Sequence, residues 1–214
     1  FATAAFTGTN GTELSVADSN WTKHSSYTQN IVIASNRASN QGSGVSSLYY
    51  HSADPASADY TVEADVYINS TAFTSGHAAG VCGRIATSAN TFYTARYGVT
   101  QSGTVSLQLY KFVNGNVYQL GSNVTTGYTA GQTKHIKLRM VGSTIEAYMD
   151  GSSAPDISIT DSAISSTGKA GVRFFTDTAG RRLDIDNFDA NETITIRGEL
   201  VDLSVLVGAS NLVS

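Results

Sequence analysis

The chain contains 214 residues, of which 41% are hydrophobic and only 14% are charged, and its net charge is −4. This length suits one all-β domain of ordinary size, or one domain with an extension. No basic cluster is longer than Arg181-Arg182, so we expect no nucleic-acid partner, since such binding relies on neutralising phosphates. No apolar stretch approaches the roughly 20 residues of a membrane-spanning helix.

The surface composition is unusual, because Ser, Thr, Asn and Gly take the place of charged residues. Such a surface is typical of extracellular or particle-exposed β proteins, and we expect the protein outside the cell, at a cell surface or on a virion. The only cysteine, Cys82, excludes an intramolecular disulfide, and its apolar run AAGVCGRIA predicts a buried, inert thiol. The chain begins with Phe1 rather than Met, which predicts a removed leader or a longer parent polypeptide.

Apolar and polar residues alternate along most of the chain, which predicts β-strands rather than helices. In YTVEADVYI (60–68), the even-numbered apolar residues predict a buried face, with Glu63 and Asp65 on the other. TKHIKLRMVG (133–142) and STIEAYMDG (143–151) predict a hairpin, and Asn114-Gly115 is the strongest tight-turn signal. Further strands are predicted at residues 29–35, 46–51, 79–86, 91–98, 104–113, 116–121, 156–160, 169–176 and 182–190.

About a dozen short strands separated by turns predict an all-β, two-sheet antiparallel sandwich or jelly roll over residues 1–190. Residues 191–214 follow the point where such a sandwich is closed, and their near-alternation predicts one or two additional strands. The apolar face of this extension must be covered, either by its own domain or by a neighbouring copy to which it adds a strand. The predicted assembly residues are Ile194, Ile196, Leu203, Val205 and Val207.

Several segments follow one another in an order that resembles a known family. They are AFTGTNGTELSVADSNWTKH, NTFYTARYG, LQLYKFVNGN, TAGQTKHIKLRMVGSTIEAYMDG, and GKAGVRFF followed by LDIDNFDA. Together, over roughly residues 5–190, they resemble the concanavalin A-like lectin/glucanase superfamily, in its laminin-G-like or carbohydrate-binding-module branch.

The resemblance implies a bent jelly-roll sandwich whose concave face binds glycans when it binds a ligand. It also implies, in many members, a structural calcium near the chain ends. Similar modules are common in secreted bacterial proteins and in phage particles. Since the fold also hosts hydrolases, lyases and structural modules, it does not by itself imply one function.

The carboxylates of the chain do not predict a glycoside hydrolase. Such an enzyme needs two carboxyl groups facing each other across the sugar, and the hydrolase branch of the superfamily implies Glu-x-Asp-x-x-Glu on one strand. Here Glu63-Ala64-Asp65 lacks the third acid, and two acids on one strand face are typical of a solvated surface. We therefore predict no catalytic residue and a non-enzymatic protein.

Polar and aromatic residues in three predicted strands are the candidates for glycan binding, because sugars present apolar CH faces to rings and hydroxyls to amides and guanidiniums. Alternation places Arg84 on the same face as Cys82, and it places Arg96 and Tyr93 on opposite faces of one strand. The alternative is that the tyrosines are core or rim residues. A polysaccharide lyase would use similar residue types and stays as a further alternative. The candidates are Arg84, Tyr93, Arg96, Gln108 and Tyr110.

Three aspartates, Asp184, Asp186 and Asp189, occur in the segment RRLDIDNFDA. Alternation predicts that the first two point outward, next to Arg173 or Arg181 of neighbouring strands. We predict a structural role for all three, with Asp186 as a candidate calcium ligand together with oxygens of the turn TGTNGT. No other cofactor is expected.

The sequence therefore predicts a non-catalytic, surface-exposed, lectin-like module that binds a glycan or polysaccharide. A second hypothesis is a self-assembling structural subunit of a fibre, shell or phage particle, which would contact its neighbours through residues 191–214. A polysaccharide hydrolase or lyase is the third hypothesis.

Overall fold

The computed structural model describes residues 1–40, 45–69, 76–176 and 183–193. Within these ranges the chain forms two antiparallel sheets of eight strands each, which we name sheet A and sheet B, and one short helix, α1 (Leu14–Ala17). In chain order the strands are β1 (Ala2–Ala4), β2 (Trp21–Lys23), β3 (Ile31–Ile33), β4 (Ala38–Asn40), β5 (Val45–His51), β6 (Tyr60–Ile68), β7 (His77–Ile85), β8 (Phe92–Val99), β9 (Val105–Val113), β10 (Asn116–Gln119), β11 (Val124–Thr126), β12 (Thr133–Val141), β13 (Thr144–Met149), β14 (Ile157–Thr160), β15 (Lys169–Thr176) and β16 (Leu183–Glu192).

The strand order of sheet A is β14-β13-β12-β6-β16-β4-β3, and β1 also pairs with β16. The order of sheet B is β10-β9-β8-β7-β15-β5-β2, and β11 also pairs with β9. The predicted two-sheet antiparallel sandwich is therefore confirmed. The sequence did not predict β1, β2, β4, β11 or α1, because elements of three or four residues are too short to show a period.

The core lies between the sheets and is formed by the inward-pointing residues of both. Val62 of sheet A and Val81 and Leu107 of sheet B belong to one apolar cluster and have no exposed surface. Trp21 is 1% exposed, and its ring centroid lies 5.0 Å from that of Phe188. Trp21 is therefore a packing residue of the core.

The two predicted tight turns are present. Asn114 and Gly115 have φ values of 49° and 85°, which is the left-handed pair that a two-residue hairpin needs. Strands β12 and β13 pair up to Val141 and Thr144, with Gly142 at φ 55° between them.

The predicted surroundings of the aspartates in β16 are wrong in two respects. Strand β16 pairs with β6 and β4 in sheet A, whereas β15 lies in sheet B, so Arg173 is not a neighbour of Asp184 or Asp186; Arg181, the other predicted neighbour, lies outside the described residues. Asp184 is also buried rather than solvated, and the Asn69 side chain donates a hydrogen bond of 2.7 Å to its Oδ2. Successive strands can join different sheets, and local alternation carries no information on that choice.

Strand β16 continues past the predicted end of the sandwich. Asn191 and Glu192 still pair with Thr61 and Tyr60 of β6. The division into a sandwich (1–190) and an extension (191–214) stays a prediction, and the assembly residues between Ile194 and Val207 lie outside the described residues. No helix within the described ranges has the length and apolar character needed to cross a bilayer.

Candidate functional site

Sheet B carries a second apolar cluster on the face that points away from the core. Leu48, Cys82, Phe92 and Phe112 are members of this cluster and are at most 4% exposed. Their chain neighbours on the same strands belong to the main core, so alternation places these four residues on the opposite side. We call this side the outer face of sheet B, and the cluster forms its floor.

One row of residues crosses the outer face on five adjacent strands. The pairing register gives the order Leu48, Arg173, Gly80, Arg96 and Gln108 on β5, β15, β7, β8 and β9. Since neighbouring strands lie about 4.8 Å apart, the backbones at the two arginines are about 10 Å apart. Both guanidinium groups lie over rings of β9, where they can contact one ligand.

Arg96, Gln108 and Tyr110, three of the predicted glycan-binding residues, are in direct contact. The Nε of Arg96 donates a hydrogen bond of 2.9 Å to Oε1 of Gln108, and its guanidinium carbon lies 4.1 Å from the centroid of the Tyr110 ring. Gln108 in turn donates to the Ser106 hydroxyl at 3.2 Å. The described partners of the Arg96 guanidinium, Gln108 and Tyr110, are both uncharged, so its positive charge is available to a ligand.

A groove of about 160 Å³ runs beside this contact and is lined by Arg96, Gln108, Ala78, Gly98 and Phe175, among others. The small residues make the groove possible. A Cβ at Gly98 would lie 2.5 Å from the amide of Gln108, so the glycine allows this amide to lie flat across β8.

Arg173 is part of the same row, although the sequence did not predict it as a site residue. It is only 6% exposed, and its guanidinium carbon lies 4.6 Å from the centroid of the Phe112 ring. Nη2 donates to the Ser46 hydroxyl at 2.9 Å, whereas Nε is buried and has no hydrogen-bond partner in the described structure. Its strand follows β9 by more than fifty residues, so only the sheet topology brings Arg173 to Arg96.

Charge is distributed unevenly between the two sheets. Among the strands as described, those of sheet B contain no Asp or Glu. Every acidic strand residue lies in sheet A, namely Glu63, Asp65, Glu146, Asp184, Asp186, Asp189 and Glu192. Burial, together with the charge of Arg173, lowers the pKa of Arg96 to about 10, so Arg96 still carries its charge at neutral pH.

Arg84 does not lie on the outer face, and the prediction that it shares a face with Cys82 is wrong. Its backbone has a φ of 49°, which interrupts the alternation of β7. The guanidinium is 1% exposed and points to the loops at the sandwich end, where it donates to the carbonyls of Ala58, Ile164 and Gly142 at 2.8–2.9 Å. This arrangement gives Arg84 a structural role.

Tyr93 also lies apart from the outer face, on the core side of β8. It has no exposed surface, and its hydroxyl donates a hydrogen bond of 2.6 Å to Oδ1 of Asp161. The predicted opposition of Tyr93 and Arg96 is confirmed, and it removes Tyr93 from the group that can contact a ligand together with Arg96.

A different polar cluster lies on the exposed side of sheet A. The ring nitrogens of His135 lie 3.0 Å from Oδ1 of Asp65 and 3.4 Å from Oε2 of Glu63. The histidine was not predicted to have a charged partner, since β6 and β12 are about seventy residues apart in the chain. The three side chains stand side by side along two paired strands, so the two acids do not face each other across a groove.

Asp186 lies near this cluster, with its Oδ1 accepting a hydrogen bond of 2.9 Å from the backbone of Asn187. Burial raises the pKa of Asp186. In the described parts of the chain, no group of three or more His, Cys, Asp or Glu side chains is arranged to hold a metal ion. Calcium binding at Asp186 therefore stays a prediction.

No protein-family model matches the chain, and no curated protein matches it. Solved structures do match. The carbohydrate-binding module CBM66 from Bacillus subtilis is similar with a TM-score of 0.60 and 19% identity, over 81% of this chain and 96% of that chain.

The CBM2 module of the evolved Dit protein of Lactobacillus casei BL23 phage J-1 has a TM-score of 0.60 and 11% identity, over 91% of this chain and 96% of that chain. A β-glucanase from Bacillus licheniformis has a TM-score of 0.59 and 11% identity, over 90% of this chain and 98% of that chain. At such low identities the common property is the fold. The chain has the concanavalin A-like jelly-roll fold that its sequence predicted.

Proposed function

We propose that this protein is a non-catalytic, lectin-like module that binds a glycan on the outer face of sheet B. The observation that carries the proposal is the contact among Arg96, Gln108 and Tyr110 beside an open groove. An aromatic ring, an amide and a guanidinium next to one another suit the CH faces and hydroxyl groups of a sugar. The Tyr110 ring packs against the apolar floor, which helps to hold it in place.

The distribution of acids supports a binding module rather than a glycosidase. A retaining or inverting glycosidase needs two carboxyl groups roughly 5–9.5 Å apart around the scissile bond, and the described strands of sheet B supply none. The paired acids Glu63 and Asp65 belong to the opposite sheet and are both hydrogen-bonded to His135.

The lyase alternative loses one of its predicted residues, because Arg84 is buried at the sandwich end. The remaining candidates fit binding as well as they fit catalysis. Incubation with β-glucans and alginates tests directly whether the protein cleaves polysaccharides. We expect neither new reducing ends nor unsaturated products, and either product would overturn the non-catalytic assignment.

We also propose that the module acts outside the cell or on a virus particle. The structural similarity to a bacterial carbohydrate-binding module and to a phage Dit module supports this location, as does the weakly charged surface.

A glycan array with the wild-type protein and two variants tests the proposed site. We expect Arg96→Ala and Tyr110→Ala each to weaken the strongest signal at least about tenfold, because each removes a contact worth about 1.5 kcal/mol or more. Arg37 and Tyr67 provide a matched control. The guanidinium carbon of Arg37 lies 4.1 Å from the centroid of the Tyr67 ring, and this contact is not part of sheet B. Arg37→Ala and Tyr67→Ala should leave binding intact. Equal binding by all four variants would refute the site, and a protein that binds no glycan would refute the function.

A further inference from the structure

Arg96 and Arg173 differ from two other arginines of the described structure in having no acidic partner. Arg84 forms an ion pair with Asp59 at 3.5 Å, and Arg139 forms one with Glu146 at 2.6 Å. No ion pair between described residues includes Arg96 or Arg173. Two cations that share a partly apolar surface are thus left without a counter-charge.

The burial of Arg173 makes this absence costly. Removing a guanidinium from water is unfavourable unless hydrogen bonds and an opposite charge compensate the loss. In the described structure, Arg173 has only the Ser46 hydroxyl and the faces of the Phe112 and Tyr27 rings, and its buried Nε has no partner. A ligand that brings an anion to this position would supply the missing interaction.

The position for such an anion is set by the two guanidinium groups. The central carbon of Arg96 lies over the Tyr110 ring and that of Arg173 over the Phe112 ring, and these two rings come from one face of β9, about 7 Å apart along the strand. A planar guanidinium binds an oxyanion with two parallel hydrogen bonds, and the uncharged partners of Arg96, Gln108 and Tyr110, leave its charge without a counter-charge. The absence of Asp and Glu from the described strands of this sheet removes the repulsion that an anionic ligand would otherwise meet.

We infer that the glycan bound on the outer face of sheet B is acidic, and that its carboxylate or sulfate group binds between the guanidinium groups of Arg96 and Arg173. This inference rests on the proposed function and specifies the class of ligand. Arg173 holds the anion at the floor of the face, while Arg96 also contacts the sugar hydroxyls together with Gln108. Tyr110 packs against the sugar ring.

A comparison of acidic glycans with their neutralised forms tests the inference. An array carrying neutral, uronic-acid, sialylated and sulfated glycans identifies the best ligand. Calorimetric titration then compares this ligand with its methyl-esterified or desulfated form, which separates a carboxylate from a sulfate as the recognised group. We expect the neutralised form to bind at least about tenfold more weakly, because charge-assisted hydrogen bonds contribute about 1.5–3 kcal/mol each. High salt should weaken only the acidic form.

Three variants assign the effect to the two arginines. Arg96→Gln and Arg173→Gln keep a hydrogen-bonding amide but remove the charge, and each should lose most of the preference for the acidic form. Arg139→Gln, on sheet A, removes the same charge elsewhere and should retain the preference. Circular dichroism checks that Arg173→Gln is folded. If this variant does not fold, the Arg96→Gln variant alone decides the test, because Arg96 is only half-buried and its substitution should be tolerated.

The outcomes separate the inference from the proposed function. If only neutral glycans bind, or if Arg96→Gln keeps the full preference for the acidic form, the inference is wrong and glycan binding stands. If no glycan binds at all, the proposed function fails and the inference fails with it. Binding of an oligonucleotide as tight as that of the acidic glycan would overturn the assignment of the anion to a saccharide.

Discussion

Arg96 and Arg173 lie two strands apart in sheet B with only Gly80 between them, and neither forms an ion pair with a described residue. Burial and, to a smaller extent, the charge of Arg173 lower the pKa of Arg96 to about 10, so desolvation and like-charge repulsion both raise the free energy of the unbound protein. Such an arrangement is typical of a site that is completed by its ligand.

The first prediction concerns the stability of the unbound protein. Arg173→Met replaces a buried, incompletely paired cation by an apolar side chain of similar length. We expect the free energy of unfolding to stay at the wild-type value or to rise by up to about 1 kcal/mol, while binding of the acidic glycan is lost. Chemical denaturation without ligand measures this. A loss of more than about 2 kcal/mol would show that Arg173 is a structural residue.

The second prediction applies the same substitution to the other buried arginine. Arg84→Met leaves the carbonyls of Ala58, Ile164 and Gly142 without their donors. We expect a loss of about 3 kcal/mol or more in unfolding free energy, because buried acceptors without partners cost about 1–3 kcal/mol each. Glycan affinity of the folded fraction should not change. A stable Arg84→Met variant with reduced glycan affinity would show that Arg84 is a binding residue rather than a structural one.

The third prediction compares two glycines of the outer face. A Cβ at Gly98 would meet the flexible Gln108 side chain, whereas a Cβ at Gly80 would lie 2.1 Å from the backbone oxygen of Ala95. Gly98→Ala should therefore cost less than about 1 kcal/mol of stability but weaken glycan binding severalfold, by moving the amide that Arg96 bonds. Gly80→Ala should cost about 2 kcal/mol or more. Thermal unfolding and titration of both variants separate the two effects, and equal stability losses would contradict this account.

The fourth prediction concerns pH and the cluster on sheet A. The hydrogen bond with Glu63 raises the pKa of His135, and the same contact lowers the pKa of Glu63. The stabilisation from His135 is complete below its unfolded pKa of about 6.5 and is lost as pH rises through the folded pKa. The stabilisation from Glu63 is present above its unfolded pKa of about 4.3 and is lost as pH falls through the lowered folded pKa.

The interaction between the two side chains is therefore strongest between about pH 4.3 and pH 6.5. We expect His135→Gln to lower Tm more at about pH 5.5 than at about pH 8.5, because the charged form of the histidine is lost as pH rises through its folded pKa. Thermal unfolding at both pH values checks this. His51→Gln is the control, because burial lowers the pKa of His51, and its effect should not be larger at the acidic pH. The same Tm difference for His135→Gln at both pH values would rule out a charged histidine.

The fifth prediction concerns the thiol beneath the outer face. Cys82 has no exposed surface, and burial raises its pKa to about 12. The folded protein should therefore not react with a thiol reagent such as DTNB near pH 8, while the denatured protein should react at once. Rapid reaction of the folded protein would mean that the floor of the outer face opens.

Local alternation predicted a large part of the fold and half of the site. It assigned the two faces of β8 and β9, so Arg96, Gln108 and Tyr110 could be proposed together. The Asn114-Gly115 turn and the β12–β13 hairpin followed from residues that are adjacent in sequence. These features depend on a two-residue period and on turn chemistry, and a single sequence displays both.

Side-chain directions that break the two-residue alternation of a strand could not be predicted from the sequence. The left-handed backbone at Arg84 turns its side chain away from Cys82. A non-glycine residue can adopt this conformation only where surrounding contacts stabilise it, and the contacts of Arg84 come from three distant loops.

By itself, the sequence determined an all-β sandwich with a weakly charged surface and placed Gln108 and Tyr110 on one strand face. Only the tertiary structure decided that β15 lies between β7 and β5, which brings Arg173 into line with Arg96, and that β16 carries its aspartates into the other sheet. The physical reason is that side-chain alternation arises within a strand, whereas the choice of neighbouring strands depends on how distant apolar faces pack into one core.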